Sequence, residues 1–133
     1  MTVARSKAGS PEPTDGFRLP RSGRIRRASM IRSLFRLGKM KKTLHLDVFF
    51  LPSPASRSRL GVVVSKYQHS IVERNRIKRR LREIGRTKVL PALSEHGRAL
   101  DVLIRARRGA YSVGFHKLRK ELEVLTEMLC SGD

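Results

Sequence analysis

The feature that most constrains this chain is a strongly basic segment at residues 74–86. It contains seven lysine and arginine residues and one acid, and its three large apolar residues are Ile77, Leu81 and Ile84. Spacings of four and three residues place these three on one stripe of an α-helix. The opposite face carries Asn75, Arg79, Arg82 and Arg86. The pattern therefore predicts a helix that packs on a core through a narrow stripe and presents a wide cationic surface.

The charge of the chain is concentrated around this segment. The 133 residues include 30 Lys and Arg against 11 Asp and Glu, which gives a net charge of +19. Residues 24–86 hold eighteen of the basic residues and three of the acids, whereas the stretches before and after each have a net charge of +2. So uneven a distribution favours a surface built for a polyanion, which is either a nucleic acid or an anionic membrane.

Nucleic acid is favoured over a membrane. No apolar run approaches the roughly 20 residues that span a bilayer, and the N-terminus has no hydrophobic signal core. The apolar stripe of the basic helix also lacks Trp and Phe, which membrane-surface helices use as anchors. Cys130 is the only cysteine, so no internal disulfide can form, as is typical of a cytoplasmic protein. We therefore predict a nucleic-acid partner, no membrane partner and a cytoplasmic location.

The order of predicted elements favours an α/β (α+β) sandwich, with helices covering one face of a single sheet and room for one extra strand. Its two strands that flank the basic helix are expected to be parallel. The predicted elements are a helix at 24–38, strands at 44–51 and 59–64, the basic helix at 71–89 ending before Pro91, a strand at 101–107, and a helix that begins at a Ser112 cap. Residues 1–18 are predicted to be a flexible arm, 19–129 the domain and 130–133 a tail.

The residues that could support catalysis or bind a metal are scattered. His45, His69, His96 and His116 fall in different predicted elements, and Glu121, Glu123 and Glu127 are expected on the wet face of the last helix. No nucleotide-binding glycine loop or nucleophile motif occurs. The sequence predicts a binding protein with no catalytic residue of its own.

Two motifs resemble the protein subunit of bacterial ribonuclease P. The first is Arg59-Leu60-Gly61-Val62-Val63-Val64-Ser65-Lys66, and the second is Arg74-Asn75-Arg76-x-Lys78-Arg79-x-x-Arg82-Glu83. The likeness extends over roughly residues 19–129. It implies a fold shared with a ribosomal-protein domain, in which the strand–helix–strand crossover that contains the basic helix is left-handed, against the usual rule.

The resemblance also implies a role as the accessory protein subunit of an endoribonuclease. In this family the RNA subunit, with Mg²⁺, removes the 5′ leader from precursor tRNA by hydrolysis, and the protein binds the RNA subunit and the single-stranded leader. The RNA-binding residues implied are Arg74, Asn75, Arg76, Lys78, Arg79, Arg82 and Arg86. The implied leader cleft, between the first helix and the sheet, contains Ile31, Phe35, Phe49 and Lys66, with Phe49 favoured over Phe50. A structural RNA-binding protein of ribosomal type is the alternative, and whether the protein binds Mg²⁺ directly stays open.

Four positions depart from the family pattern. Ile31 stands where an aromatic residue is usual, which predicts a poorer stacking surface. His69 and Ile71 replace a glycine and an alanine, so the turn before the basic helix is expected to differ. Gly85 stands where a bulky apolar residue is common, which predicts weaker packing near Arg86.

Overall fold

The computed structural model describes residues 23–25, 27–65 and 69–131. Its elements follow the predicted order, with one additional short strand. They are α1 (Ala28–Leu37), β1 (Lys39–Lys42), β2 (Leu46–Pro52), β3 (Arg59–Val63), α2 (Ile71–Ile84), a π-helical turn (Gly85–Val89), α3 (Leu90–Glu95), β4 (Leu100–Ala106), a 3₁₀ turn (Arg108–Ser112) and α4 (Phe115–Cys130). Within these ranges, no helix combines the length and the apolar character needed to cross a membrane.

The four strands form one mixed sheet in the order β1-β2-β4-β3. β1 and β4 both pair with β2 in antiparallel fashion, so that Phe50 lies opposite Val102. β3 and β4 are parallel, and Leu60 also lies opposite Val102. This confirms the prediction that the strands before and after the basic helix run in the same direction.

The main core lies between one face of the sheet and the helices α2 and α4. The stripe residues Ile77, Leu81 and Ile84 are all buried, with at most 2% of their surface exposed. They join apolar side chains of the strands and four leucines of α4 in one cluster. The spacing of the stripe therefore identified both the helix and the face through which it packs.

Helix α1 covers the opposite face of the sheet. It buries Leu34 in a second, smaller cluster with Ile25, Phe49 and Leu103. The prediction that helices cover only one face is therefore wrong. The physical reason is that β2 and β4 bear apolar side chains on both sides, and Phe49 and Leu103 need a cover of their own.

The first helix begins later than predicted because the residues before it are extended. Arg24 forms an isolated parallel bridge with Leu60, and the Ile25 amide donates a hydrogen bond of 2.9 Å to the Leu60 carbonyl. This contact lies beside the edge strand β3, and the helix starts only at Ala28. Its predicted end at Gly38 is confirmed.

The basic helix does not end before Pro91, as the sequence suggested. The chain stays helical through the π-helical turn and α3 as far as Glu95. Proline lacks an N–H and clashes with the carbonyl four residues earlier in a regular helix. Here it lies in the first turn of α3, directly after a wider turn in which the Leu90 amide bonds to the Gly85 carbonyl five residues back.

The predicted cap of the last helix is also wrong. Ser112 ends the 3₁₀ turn, where its hydroxyl donates to the Gly109 carbonyl. The helix α4 begins at Phe115 after Gly114, without a side-chain cap. A serine before an apolar run fits a turn as well as a cap, because its short side chain bonds nearby backbone in both.

Candidate nucleic-acid interface

The start of α2 is fixed by a reciprocal cap. The Glu73 amide donates to the Ser70 hydroxyl at 3.1 Å, and the Ser70 amide donates to the Glu73 carboxylate at 2.9 Å. The hydrogen bond from the Ser70 backbone is the main cause that lowers the pKa of Glu73. This pair satisfies two of the amides that a helix start leaves unpaired, so the register of the cationic residues that follow is defined.

His69, the residue before this cap, stacks on the ring of Tyr111, which lies far along the chain. His69 and Tyr111 lie face to face, with ring centroids 3.5 Å apart and planes 7° from parallel. Burial raises the pKa of Tyr111. The stack ties the beginning of α2 to the 3₁₀ turn that follows β4. The predicted difference in the turn before α2 stays a prediction, because residues 66–68 lie outside the described part.

The outer face of α2 is cationic and largely unpaired. Among the described residues, no carboxylate forms an ion pair with Arg76, Lys78, Arg79 or Arg82. Asn75, Arg76, Arg79 and Arg82 are exposed, whereas Arg74, Lys78 and Arg86 are half-buried. The structure thus brings all seven predicted residues onto one helix and its following turn, with four of them fully open to a ligand.

Arg86 differs from the other six predicted residues. Its Nη2 donates to both oxygens of Glu83, at 3.0 and 2.9 Å, one turn earlier. The pair neutralises the cationic face at its C-terminal end. Arg86 is therefore less available to a phosphate than the unpaired arginines, because part of its guanidinium is already engaged by Glu83.

Gly85 packs closely against the sheet, contrary to the prediction of weak packing at this point. Leu60 of β3 is 1% exposed and occupies the space above the glycine. A β-carbon at residue 85 would lie within 3.0 Å of Leu60 Cδ2 and 3.1 Å from its Cγ. The volume of the larger residue that the family places here is supplied from the strand instead.

A second surface lies where α1 crosses the sheet. Phe35 of α1 is 37% exposed and meets Phe49 of β2 edge to face, with ring centroids 4.8 Å apart at 78°. Phe49 is 7% exposed and Phe50 faces the main core, so Phe49 is the one that points to α1, as favoured. Ile31 packs beside them half-buried. Lys66, the fourth predicted residue, lies outside the described residues.

The sequence did not reveal the arginine that lies over these rings. The guanidinium of Arg105 lies 5.4 Å from the centroid of Phe35 and 5.0 Å from that of Phe49. Its Nη2 donates to Asp47 Oδ2 at 2.8 Å, and Asp47 is 3% exposed. A buried carboxylate therefore fixes a cation over an aromatic pair, and Arg107 approaches its other oxygen at 3.5 Å. An acid inside an apolar strand was the available signal, but its partner depends on the pairing of β2 with β4.

The second buried acid of the sheet, Asp101, also forms an ion pair with an arginine. Asp101 accepts from Arg59 Nε at 2.8 Å and from Nη2 at 2.7 Å. Among the described residues, no group of three His, Cys, Asp or Glu side chains could hold a metal ion. The groups that these two surfaces present are guanidinium and ammonium groups, the amide of Asn75 and aromatic rings.

Comparison with known proteins gives matches of one kind. The family model described as Ribonuclease P matches residues 19–130. The ribonuclease P protein component of Desulforapulum autotrophicum is 32% identical over 117 residues, which cover 88% of this chain and 97% of the relative. That of Pseudarthrobacter chlorophenolicus is 33% identical over 100 residues, or 75% of this chain and 68% of the relative. The solved ribonuclease P protein from Thermotoga maritima is 26% identical with a TM-score of 0.65, and the match covers 79% of this chain and 96% of that one.

Proposed function

Because the chain belongs to the ribonuclease P protein family, whose members are components of an endoribonuclease, we propose that its two surfaces bind different RNAs. The outer face of α2 binds the RNA subunit, and the cleft between α1 and the sheet holds the single-stranded 5′ leader of precursor tRNA. Hydrolysis takes place on the RNA subunit with Mg²⁺ bound there. The observation that supports this most is the unpaired cationic face of a helix whose other face is buried.

The cationic face of α2 suits a folded RNA backbone. An arginine presents a planar fork of N–H donors that matches two phosphate oxygens. Arg79 and Arg82 are exposed, and the nearby Glu83 is paired with Arg86 instead, so neither has to give up an ion pair in order to bind. In a chain of net charge +19 their mutual repulsion is relieved when a polyanion arrives. Binding should therefore be strong at low salt and fall steeply as salt is added.

The cleft suits a single strand. Single-stranded RNA is held by ring faces on which bases stack, together with cations that follow the backbone. Phe35 offers an exposed ring, whereas the buried Phe49 supports it from below. Arg105 supplies a cation whose position Asp47 fixes. A base stacked on Phe35 would place its phosphate within reach of this guanidinium.

The alternative of a structural RNA-binding protein of ribosomal type is disfavoured. The relatives that cover most of this chain are ribonuclease P protein components. The family match extends through the cationic helix and both strands beside it.

Reconstitution with a bacterial ribonuclease P RNA tests the proposal. At low Mg²⁺ the protein should restore cleavage of precursor tRNA. Phe35→Ala should weaken binding of precursor tRNA to the reconstituted particle by about 5- to 150-fold, which corresponds to the roughly 1–3 kcal/mol of one base–ring stack. Leu37→Ala is the matched control, because Leu37 lies on the same helix and is 62% exposed.

The comparison with mature tRNA, which has no leader, makes this test specific. Phe35→Ala should leave the affinity for mature tRNA unchanged. An equal loss with both RNAs would place Phe35 outside leader binding. No loss with either RNA would remove the cleft from the proposal.

A further inference from the structure

A cationic cavity lies at the other end of the sheet. Its volume is about 340 Å³, and its walls are the loop between β2 and β3 and the turn that joins α3 to β4. At this end of the sheet β2 ends and β3 and β4 begin. The start of α2 lies at the other end, because α2 follows the C-terminal end of β3. The cavity is therefore separate from the start of α2, and it includes none of the residues assigned above to the RNA subunit or the leader.

The lining has the chemistry of an anion site. The lining residues include Arg57 and Arg98, and none of them is an acid. Neither guanidinium makes an ion pair with a described residue. Ser56 and Ser94 also line it, and their hydroxyls have no hydrogen-bond partner among the described residues. The residues around this space thus include two arginines and two serines with unbonded hydroxyls, and no acid.

The two walls are held in place by hydrogen bonds that do not use these groups. The hydroxyl of Ser58 donates to the Arg98 carbonyl and accepts from the Leu100 amide, both at 3.0 Å. The loop is thereby fixed against the turn. Ser56 and Gly97 have φ angles of 61° and 68°, the two positive values in the described chain. For a serine this conformation costs on the order of 1 kcal/mol, and both residues lie in the tight turns that bring the loop and the α3–β4 connection together.

We propose that this cavity binds a phosphate group, with the RNA backbone as its source. Two arginine forks and hydroxyl donors match the oxygens of a phosphate, and a cavity of this volume admits a phosphodiester with its flanking sugars. Ser94 lies twelve residues beyond Arg82 on a continuous helical rod, roughly 18 Å along its axis at 1.5 Å per residue. The cavity therefore extends the RNA footprint past the end of α2. Free phosphate has the same chemistry and is the other source.

The test uses a pair of doubly substituted proteins. Arg57→Gln with Arg98→Gln removes both cations of the cavity. Lys117→Gln with Lys120→Gln is the control, because it removes the same charge from two exposed residues of α4. A ¹⁵N NMR titration with inorganic phosphate, at ionic strength held constant with sodium chloride, should shift the amide signals of residues 56–58 and 97–98. The shifts should occur in the parent and the control protein and be absent from the cavity variant.

Affinity for a bacterial ribonuclease P RNA distinguishes the two sources. If the ligand is the RNA backbone, the slope of log affinity against log salt should fall by about 0.7–0.9 in the cavity variant, the value for one phosphate contact. The control should fall by much less. Lost phosphate shifts with unchanged RNA affinity would assign the cavity to a small phosphate compound. Equal behaviour of the two variants in both measurements would overturn the proposal, whereas leader-dependent binding would be unaffected in either case.

Discussion

Replacing Gly85 with alanine should destabilise the protein, although alanine is the better helix former. In a helix the exchange alone would raise the free energy of unfolding by about 1 kcal/mol. The new methyl group, however, would lie within 3.0 Å of Leu60 Cδ2, 3.1 Å from Cγ and 3.2 Å from Cδ1. Carbon atoms in contact prefer about 3.5–4.0 Å, so three atoms of one buried leucine would have to move.

The magnitude follows from the burial of that leucine. Leu60 is 1% exposed and cannot turn into solvent. Inserting a methyl group into a packed core costs roughly 1–3 kcal/mol, and a clash with three atoms belongs at the upper end. After the gain in helix propensity, the expected net loss is about 2 kcal/mol. Urea unfolding monitored by circular dichroism measures it as a lower midpoint at an unchanged slope.

A double-mutant cycle shows whether Leu60 is the cause. Leu60→Ala alone should cost about 2–5 kcal/mol, because it leaves a cavity. The double variant Leu60→Ala with Gly85→Ala should lose at least about 1 kcal/mol less than the sum of the two single losses, since the new methyl group enters the vacated space. Gly114→Ala controls for the contact alone, because a β-carbon there meets no atom within 4 Å. As the N-cap of α4 it should lose up to about 1 kcal/mol, and Leu60→Ala should not recover that loss. If Gly85→Ala raised the stability by the propensity term alone, the close approach of α2 to β3 would be refuted.

Four further outcomes are expected. Arg79→Gln with Arg82→Gln should weaken binding to the RNA subunit and lower its salt slope by about 1.4, as measured by filter binding. Ser70→Ala should lower the free energy of unfolding by about 1 kcal/mol through loss of the helix cap. Asp47→Asn should lower the free energy of unfolding by about 1–2 kcal/mol and should weaken leader binding. This is less than the cost of breaking a fully buried ion pair, because the arginine partner is 41% exposed. Burial raises the pKa of Glu121, but hydrogen bonds from neighbouring groups outweigh it and hold the pKa below the ordinary 4.5. Its stabilisation is therefore present above pH 4.5 and lost as pH falls through the lowered pKa, so the stability deficit of Glu121→Gln should shrink in acid.

The cationic helix was predictable because its signal is local. The spacing of Ile77, Leu81 and Ile84 fixes which face is buried, since residues three and four apart share a side of any helix. The fold order and the parallel pair of strands followed from the same kind of pattern. The role of Arg105 was not predictable in this way. It depends on the antiparallel pairing that sets Asp47 opposite Arg105, and strand pairing joins residues far apart in the chain.

The continuation of the helix past Pro91 was hidden for a similar reason. A proline ends a helix when its missing N–H and its ring cannot be accommodated. Here the preceding π-helical turn changes the hydrogen-bond pattern, and the close contact of Gly85 with Leu60 lies in the same turn. A strand residue twenty-five positions earlier thus shapes this part of the helix. Local propensity contains no information about that contact.

The short strand β1 has a consequence for the protein in the absence of RNA. It is the outermost of the four described strands on its side of the sheet, so one row of its backbone groups is not paired within the sheet. Such an edge can pair with the same edge of another molecule and begin aggregation. Three of its four residues are lysines, so two copies approaching edge to edge would bring like charges together. Salt weakens this repulsion. The purified protein should therefore stay monomeric at low salt and self-associate more readily at high salt, where its affinity for RNA is also lowest.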